Sequence, residues 1–255
     1  MTGLLDAAFF TERVLPALNK GLWVSLELIV PAAVLGFVFG LTLGAVRVYA
    51  PRFAIRIADG FTSVVRGVPL LVQLFFLYNC LPKFGMAFDD LLAFCTRLLP
   101  EFLRYDQEIF RELLLLEPFG AALLGFIICS AAYQSEYVRG ALLSIRQGQI
   151  KAAQALGFST PQMLLSVVIP QALRRALPGC GNEIIYLIKY SSLAQVISCM
   201  ELTGEAYVLA GRSFRYIEVY LAAGCYYLLM TTAASAFLGR LEKKYAIPGF
   251  SGGKG

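Results

Sequence analysis

The 255-residue chain contains no histidine. The commonest metal ligand, and the side chain that most often acts as a general base near neutral pH, are therefore missing. Tryptophan occurs once, and charged residues make up only 15% of the chain, against roughly 25% in an ordinary soluble domain. The six cysteines (Cys80, Cys95, Cys129, Cys180, Cys199, Cys225) form no CxxC pair and no zinc-ligand spacing. Most fall in apolar runs, where cysteine behaves as a small hydrophobe. There is no GxSxG elbow and no Walker A loop; Ser251-Gly252-Gly253-Lys254-Gly255 lacks the GK[ST] order and a preceding strand. No metal, cofactor or catalytic centre is expected, and the chain is not expected to hydrolyse ATP by itself. Its net charge of +5 is small and its basic residues are scattered, which argues against nucleic acid as a partner.

What the chain has in abundance is apolar sequence. Hydrophobic residues make up 58% of it and the mean hydropathy is +0.68, far too apolar for a disordered polypeptide. A helix needs roughly 20 mainly apolar residues to cross about 30 Å of hydrocarbon. Five runs meet that requirement: 21–46, about 57–81, about 118–138, 178–200 and 217–239. The expected class is an all-α integral membrane protein with five transmembrane helices, embedded in a lipid bilayer. Residues 4–20 interleave polar and apolar side chains and read as an N-terminal amphipathic interfacial segment (1–20). They lack the basic start and small-residue cleavage site of a secretory signal.

Orientation follows from the placement of Lys and Arg. The loop after the first run, the loop after the third and the C-terminal tail together carry twelve basic residues against one acid, Glu242. The opposite side carries eight basic residues and eleven acids. The N-terminus is therefore expected outside and the C-terminus in the cytoplasm. The organisation that results is a membrane domain over 21–245, an outer insertion over 82–117, a cytoplasmic loop over 140–170 and a cytoplasmic tail over 246–255. The insertion holds apolar residues at helical spacing (Leu91, Leu92, Phe94, Leu98, Leu99; Phe110, Leu113, Leu114), a pattern for two short surface helices. They read either as a contact for an outside partner or as a passive cap.

Within the first run, Gly36, Gly40 and Gly44 recur every four residues. Small residues in such a row let helix backbones approach closely in lipid. The row reads as a packing seam, within the subunit or between subunits, or as ordinary glycine enrichment. The cytoplasmic loop predicts a helix that runs up to Leu156 and stops at Gly157. A second helix is expected with Thr160 as its cap, Pro161 at its first position and its end at Pro170.

Three blocks of sequence resemble one family. Lys151-Ala152-Ala153-Gln154-Ala155-Leu156-Gly157, followed by Ile169-Pro170, is similar to the E-A-A-x-x-x-G … I-x-L-P loop of ABC importer permeases, with Ala152, Ala153, Gly157 and Pro170 matching and Lys151 in the acidic place. Arg66-Gly67-Val68-Pro69-Leu70-Leu71-Val72-Gln73 resembles the R-G-T-P-L-L-V-Q signature of the polar-amino-acid branch. Lys189-Tyr190-Ser191-Ser192-Leu193 resembles its K-x-[TS]-S-L stretch, and Glu136 and Arg139 match the acidic and basic places before the loop. The resemblance covers about residues 10–245. It implies a type I ABC importer permease fold in the inner (cytoplasmic) membrane, of the histidine, glutamine or glutamate type. It implies a separate ATP-binding subunit that receives the loop helix, including Gly148, an extracytoplasmic solute-binding protein, and a second permease subunit, identical or a sister chain.

Ionisable residues at membrane depth are functional suspects. Only Arg66 and Lys189 fall near the middle of their runs; Glu183, about one turn inside the fourth, is ambiguous, and no other acid is expected at that depth. Two deep cations suit an anionic ligand group, here the α-carboxylate of an amino acid, with Gly67, Gln73, Ser191 and Ser192 nearby. Gly67 and Pro69 interrupt the helix, and broken helices of transporters offer backbone groups to substrates. The alternative assigns Arg66 to carbonyls freed by the break and Lys189 to Glu183. Two other functions compete with the importer: a stand-alone channel or ion-coupled carrier, disfavoured by the lack of deep acids and of an inverted repeat, and a membrane acyl- or phosphotransferase, which would have little chemistry to work with.

Overall fold

The computed structural model describes residues 7–83, 117–145 and 147–245. The expected surface helices of the outer insertion, apart from its two ends, and the tail over 246–255 lie outside the described residues. The described chain is helical, with no strand among its elements. Helix α1 spans Ala7–Tyr49, about 65 Å at 1.5 Å per residue, with a π-helical turn at Phe10–Val14 and Pro31 in its interior. Residues 7–20 are thus the first turns of this helix. They are held because Val14 and Leu18 are buried against Leu202, Ala206, Ala210 and Val219.

Helix α2, Arg52–Gly67, and α3, Leu70–Lys83, meet at a bend of 102°. Helix α4 is Pro118–Leu143, α5 is Gln147–Ala155 and α6 is Ile169–Tyr190, entered through a helical turn Thr160–Met163 and a π-helical turn Leu164–Val168. A 3₁₀ turn, Ser191–Ile197, leads to α7, Leu202–Ser213, and α8, Tyr216–Tyr245, completes the bundle. By length and composition α1, α4 and α8 can each cross a membrane, and the bent pair α2–α3 makes a fourth candidate. The fourth expected run, 178–200, is not one uninterrupted helix. Helix α6 begins well before Pro178, carries Arg174, Arg175, Glu183 and Lys189, and gives way to the 3₁₀ turn after Tyr190.

Three apolar clusters stack along the bundle. Val14, Leu18, Leu202, Ala206 and Val219 form one pole; Leu28, Ala32, Leu74, Phe126, Leu187 and Ile197 form the middle. Val138, Leu142, Ile145, Ala153, Met163 and Ala172, with Val48 packed against them, form the other pole. Helix α1 touches all three clusters in order, and the chain from α6 to α7 passes through them in the reverse direction. Outward faces are apolar as well: Trp23, Phe53, Ile217, Leu228 and Leu229 are all exposed, as expected where the surroundings are lipid rather than water.

The most extensive contact joins α1 to α4. A Cβ added at Gly36 would lie 2.6 Å from Ser130 Oγ, at Gly40 2.7 Å from Gln134 Cβ, and at Gly44 2.8 Å from Val138 Cγ1. The glycine row is thus a seam within the subunit. Gln134 Nε2 donates to Ser130 Oγ at 2.8 Å, so the polar groups facing the seam satisfy one another. Gly40→Ala is expected to cost about 1–3 kcal/mol through overpacking, seen as a lower melting temperature in detergent. Gly60→Ala, with open space around the new methyl, is expected to leave stability unchanged or raise it by up to about 1 kcal/mol.

Candidate functional site

The loop over 140–170 forms a bracket between α4 and α6. Arg175 Nη1 donates to Ser144 O at 2.6 Å and to Ser144 Oγ at 2.8 Å, fixing the end of α4 to α6. Helix α5 closes with Gly157 N–H on Gln154 O (3.0 Å) and Phe158 N–H on Ala153 O (3.1 Å). Gly157 has φ +80°, a left-handed end that glycine adopts without a Cβ penalty. The expected stop at Gly157 is therefore observed. The next helix differs from expectation in its cap: Ser159, not Thr160, precedes it, and its N–H and hydroxyl both donate to Gln162 Oε1 (3.0 and 2.9 Å).

Pro170 does not end this helix either. Proline lacks an N–H and crowds the carbonyl four residues back, but the π-helical turn immediately before it, closed by Ile169 N–H on Leu164 O, widens the ladder and lets the helix continue into α6. Ala153 is buried with Ile145, Met163 and Val168. Gly148, Lys151, Ala152, Gly157 and Pro170 are exposed, as are Leu156 (77%) and Phe158 (39%). The bracket therefore presents a mixed apolar and basic face away from the bundle.

At the α2–α3 bend, Val68 (φ −96°, ψ 130°) and Pro69 (ψ 136°) are extended. Pro69 cannot donate to Val65 O, and Val72 N–H turns to Pro69 O instead of Val68 O. Gln73 Nε2 supplies both missing bonds, to Val65 O at 2.7 Å and to Val68 O at 2.8 Å. The freed carbonyls thus belong to Gln73 and not to Arg66, and Gln73 serves the architecture of the break. Gly67, at the end of α2, is exposed with open space around it.

Arg66 sits elsewhere than a straight span would put it. Its Nη1 donates to Glu136 Oε1 at 2.8 Å, and its guanidinium lies over the Tyr133 ring at 5.3 Å. The same Glu136 oxygen accepts from Arg47 Nη2 at 2.9 Å, while Arg47 Nε donates to Asp59 Oδ1 at 2.6 Å and Nη1 to Ser135 Oγ at 3.1 Å. Arg139 Nε reaches Glu136 Oε2 at 3.2 Å. Arg66 and Asp59, about 10 Å apart along α2, thus both join the cluster around Arg47, two residues before the end of α1. The bend makes α2 turn away from the course of α3 and brings Arg66 to the end of α1.

Lys189 is exposed, with no ion pair among the described residues. Its Nζ lies 5.7 Å from the Tyr186 ring, which stacks on Tyr190 at 5.9 Å. The expected alternative partner of Lys189, Glu183, is not paired with it. Ser191 Oγ donates to Ile188 O and Ser192 Oγ to Lys189 O, each at 2.8 Å. Ser191 is fully buried, with the Tyr227 hydroxyl as a further partner, whereas Ser192 is half-buried and keeps oxygen lone pairs as acceptors.

Two acids, Glu183, which the sequence leaves ambiguous, and Glu201, are buried within the bundle. Glu183 is 2% exposed with Oε1 free of any hydrogen bond among the described residues. Glu201 is fully buried and accepts from Thr203 N and Gly204 N (both 2.9 Å), Tyr227 Oη (2.8 Å) and Ser25 Oγ (3.4 Å). Its signal in the sequence was positional: an acid immediately before the Leu202-Thr203-Gly204 helix start, where a side-chain oxygen caps free N–H groups.

A family model described as "Binding-protein-dependent transport system inner membrane component" matches residues 34–247. The glutamine transport system permease protein GlnP of Escherichia coli (strain K12) is 36% identical over 233 residues, covering 91% of this chain and 94% of the relative. The arginine transport system permease protein ArtQ of Bacillus subtilis (strain 168) is 32% identical over 231 residues, covering 90% and 93%. Among solved structures, an amino acid ABC transporter with histidines matches with a TM-score of 0.77 at 28% identity, covering 96% of this chain and 99% of its own. The MetNI methionine ABC transporter in an inward-facing conformation shares the fold, with a TM-score of 0.69 at 17% identity over 91% and 97% of the two chains.

Gln73→Leu is expected to destabilise the α2–α3 break by about 1–3 kcal/mol for each carbonyl left without its donor. Thermal unfolding in detergent measures it, with a lower midpoint than the wild type as the expected result.

Proposed function

This chain belongs to the binding-protein-dependent transport system inner membrane components, and on that footing we propose that it is the transmembrane subunit of an ATP-driven importer of a polar amino acid. It crosses the inner membrane five times, with the run from α6 through the 3₁₀ turn to α7 as the fourth crossing. Its N-terminus is outside and its C-terminus cytoplasmic. A separate ATP-binding subunit docks on α5, a solute-binding protein delivers substrate from the outer side, and a second permease subunit completes the pathway.

The observation that carries this reading is the bracket itself. Helix α5 is closed at its end by the Gly157 and Phe158 N–H bonds and packs on the turns Thr160–Met163 and Leu164–Val168. Ala153 is buried in the cluster that the ends of α4 and α6 share, which leaves an exposed face of Lys151, Ala152, Leu156 and Phe158. A partner closing on that face moves the ends of two helices together. Orientation is supported by packing: the ends of α1 and α4 share one apolar cluster with α5, and the basic loops gather at that pole, which favours the cytoplasmic side. Substrate carboxylate is assigned to Lys189 and Arg66. Ser192 and the backbone at Gly67 line the same route, the buried Ser191 stands behind Ser192, and Gln73 holds the break that presents Gly67.

Reconstitution in proteoliposomes with the ATPase and binding protein tests the reading. Uptake of L-glutamine, L-arginine or L-histidine, chosen from the relatives' names, is expected to require ATP; uptake without the ATPase would favour a channel or carrier. Lys189→Gln is expected to cut uptake at least tenfold while the ATPase still copurifies, and normal uptake would remove Lys189 from the route. Lys151→Glu reverses the charge on the docking face and is expected to weaken copurification of this chain's own ATPase severalfold, mainly through association rate and partner choice. Equal or tighter pairing would show that Lys151 plays no part in docking.

A further inference from the structure

Glu136 is shared among three guanidinium groups, and the sharing is uneven. Arg47 is 6% exposed in its side chain and has two other partners, Asp59 and Ser135. Arg139 holds the other oxygen of Glu136 from one turn further along α4. Arg66 is 39% exposed and attached through one hydrogen bond from Nη1, with its Nε and Nη2 making none among the described residues. Its guanidinium plane is steadied by the Tyr133 ring, a contact that fixes position without consuming an N–H.

From this asymmetry we propose that Glu136 is a positioning residue that occupies Arg66 in the substrate-free transporter and yields it to the α-carboxylate of the amino acid. The inference rests on the importer reading and on Arg66 belonging to its substrate route. The exchange is non-covalent and strands no charge. Arg66 trades one carboxylate for another, while Glu136 keeps Arg47 on Oε1 and Arg139 on Oε2. Breaking an isolated ion pair in a low-dielectric setting would leave a charge uncompensated; here the third guanidinium removes that cost. The trade also favours the substrate geometrically, because a free carboxylate can take two parallel N–H bonds from Arg66 where Glu136 takes one. Its structural consequence is local. The tie between α2 and α4 opens beside Val68 and Pro69, where the backbone is already broken, while Arg47 keeps α1 and α4 together. A free α-carboxylate thereby becomes a requirement for loading the site, whatever the side chain.

The test is equilibrium binding of radiolabelled L-glutamine, L-arginine and L-histidine to the detergent-solubilised complex of this permease with its ATPase. The amino acid that binds the wild type most tightly serves as the probe. Glu136→Gln removes the competing charge and is expected to lower the Kd at least threefold. It is also expected to slow ATP-driven uptake at least fivefold, since Glu136 no longer recaptures Arg66. In an Arg66→Gln background the same change is expected to leave Kd unaltered, the non-additivity that marks a direct coupling. Competition by the α-carboxamide of the same amino acid is expected not to respond to Glu136→Gln. Glu136→Asp keeps the charge but withdraws it by one methylene, is expected to give an intermediate Kd, and replaces the Gln variant if that variant fails to assemble. A Kd unchanged or raised in the variants, or an equal fall without Arg66, overturns the exchange. Loss of all ATP-dependent uptake in the wild type would overturn the importer reading instead.

Discussion

The backbone-to-backbone approach of α1 and α4 is the constraint from which the remaining geometry follows. Between helices in lipid there is no hydrophobic driving force, because the surrounding tails are as apolar as leucine, so van der Waals contact and hydrogen bonds must hold the pair. Gly36, Gly40 and Gly44 permit a contact that any Cβ would block. Arg47 lies on the next turn of α1, and with the helices this close its guanidinium is buried between them, beside Ser135 and Glu136. Once buried, that charge needs carboxylates on more than one side. Asp59 of α2 meets the need and so draws α2 against the α1–α4 pair.

A second constraint acts wherever the helices break. Within a bilayer no water is available to satisfy free N–H and C=O groups, so each break requires an internal partner. At Pro69 the partner is Gln73, whose amide replaces the donor that proline lacks. At the start of α7 it is Glu201, itself kept in place by Ser25 of α1 and Tyr227 of α8. The end of α4, at the pole assigned to the cytoplasm, is likewise tied down, by Arg175 bonded to the carbonyl and hydroxyl of Ser144. These side chains convert interruptions of the backbone into fixed joints. The joints lie beside the parts of the chain with the functional interest: the Gly67 turn, the link from α6 to α7 and the coupling bracket.

Helix α4 connects the Arg66 cluster with the loop that carries α5. Its middle carries Tyr133 and Glu136 beside Arg66, and its end runs through Ile145 into α5. A displacement of the bracket therefore acts on the helix that positions the Arg66 cluster. In the proposed importer the same connection works in the opposite direction, since coupling between two sites is reciprocal in binding free energy.

Composition and periodicity alone established that the chain is helical and apolar enough for a membrane. They also located the bracket with its Gly157 stop, the break at Val68-Pro69 and the glycine row, because each of these depends on local backbone chemistry carried by glycine, proline or a run of apolar side chains. The course of the chain after a break was not legible: a run of apolar residues gives length but no direction. Arg66 was therefore expected at mid-span, whereas the 102° bend brings it to Arg47 and Glu136. Pro170 was read as a stop because the π-helical turn that accommodates it has no signature in hydropathy. The assignment of Gln73 to the carbonyls of Val65 and Val68 came from the local geometry of the break, and the burial of Glu201 beside Ser25 came from long-range packing. Which donor meets which acceptor across more than a hundred residues depends on how closely the helices pack, and only the tertiary structure decided that.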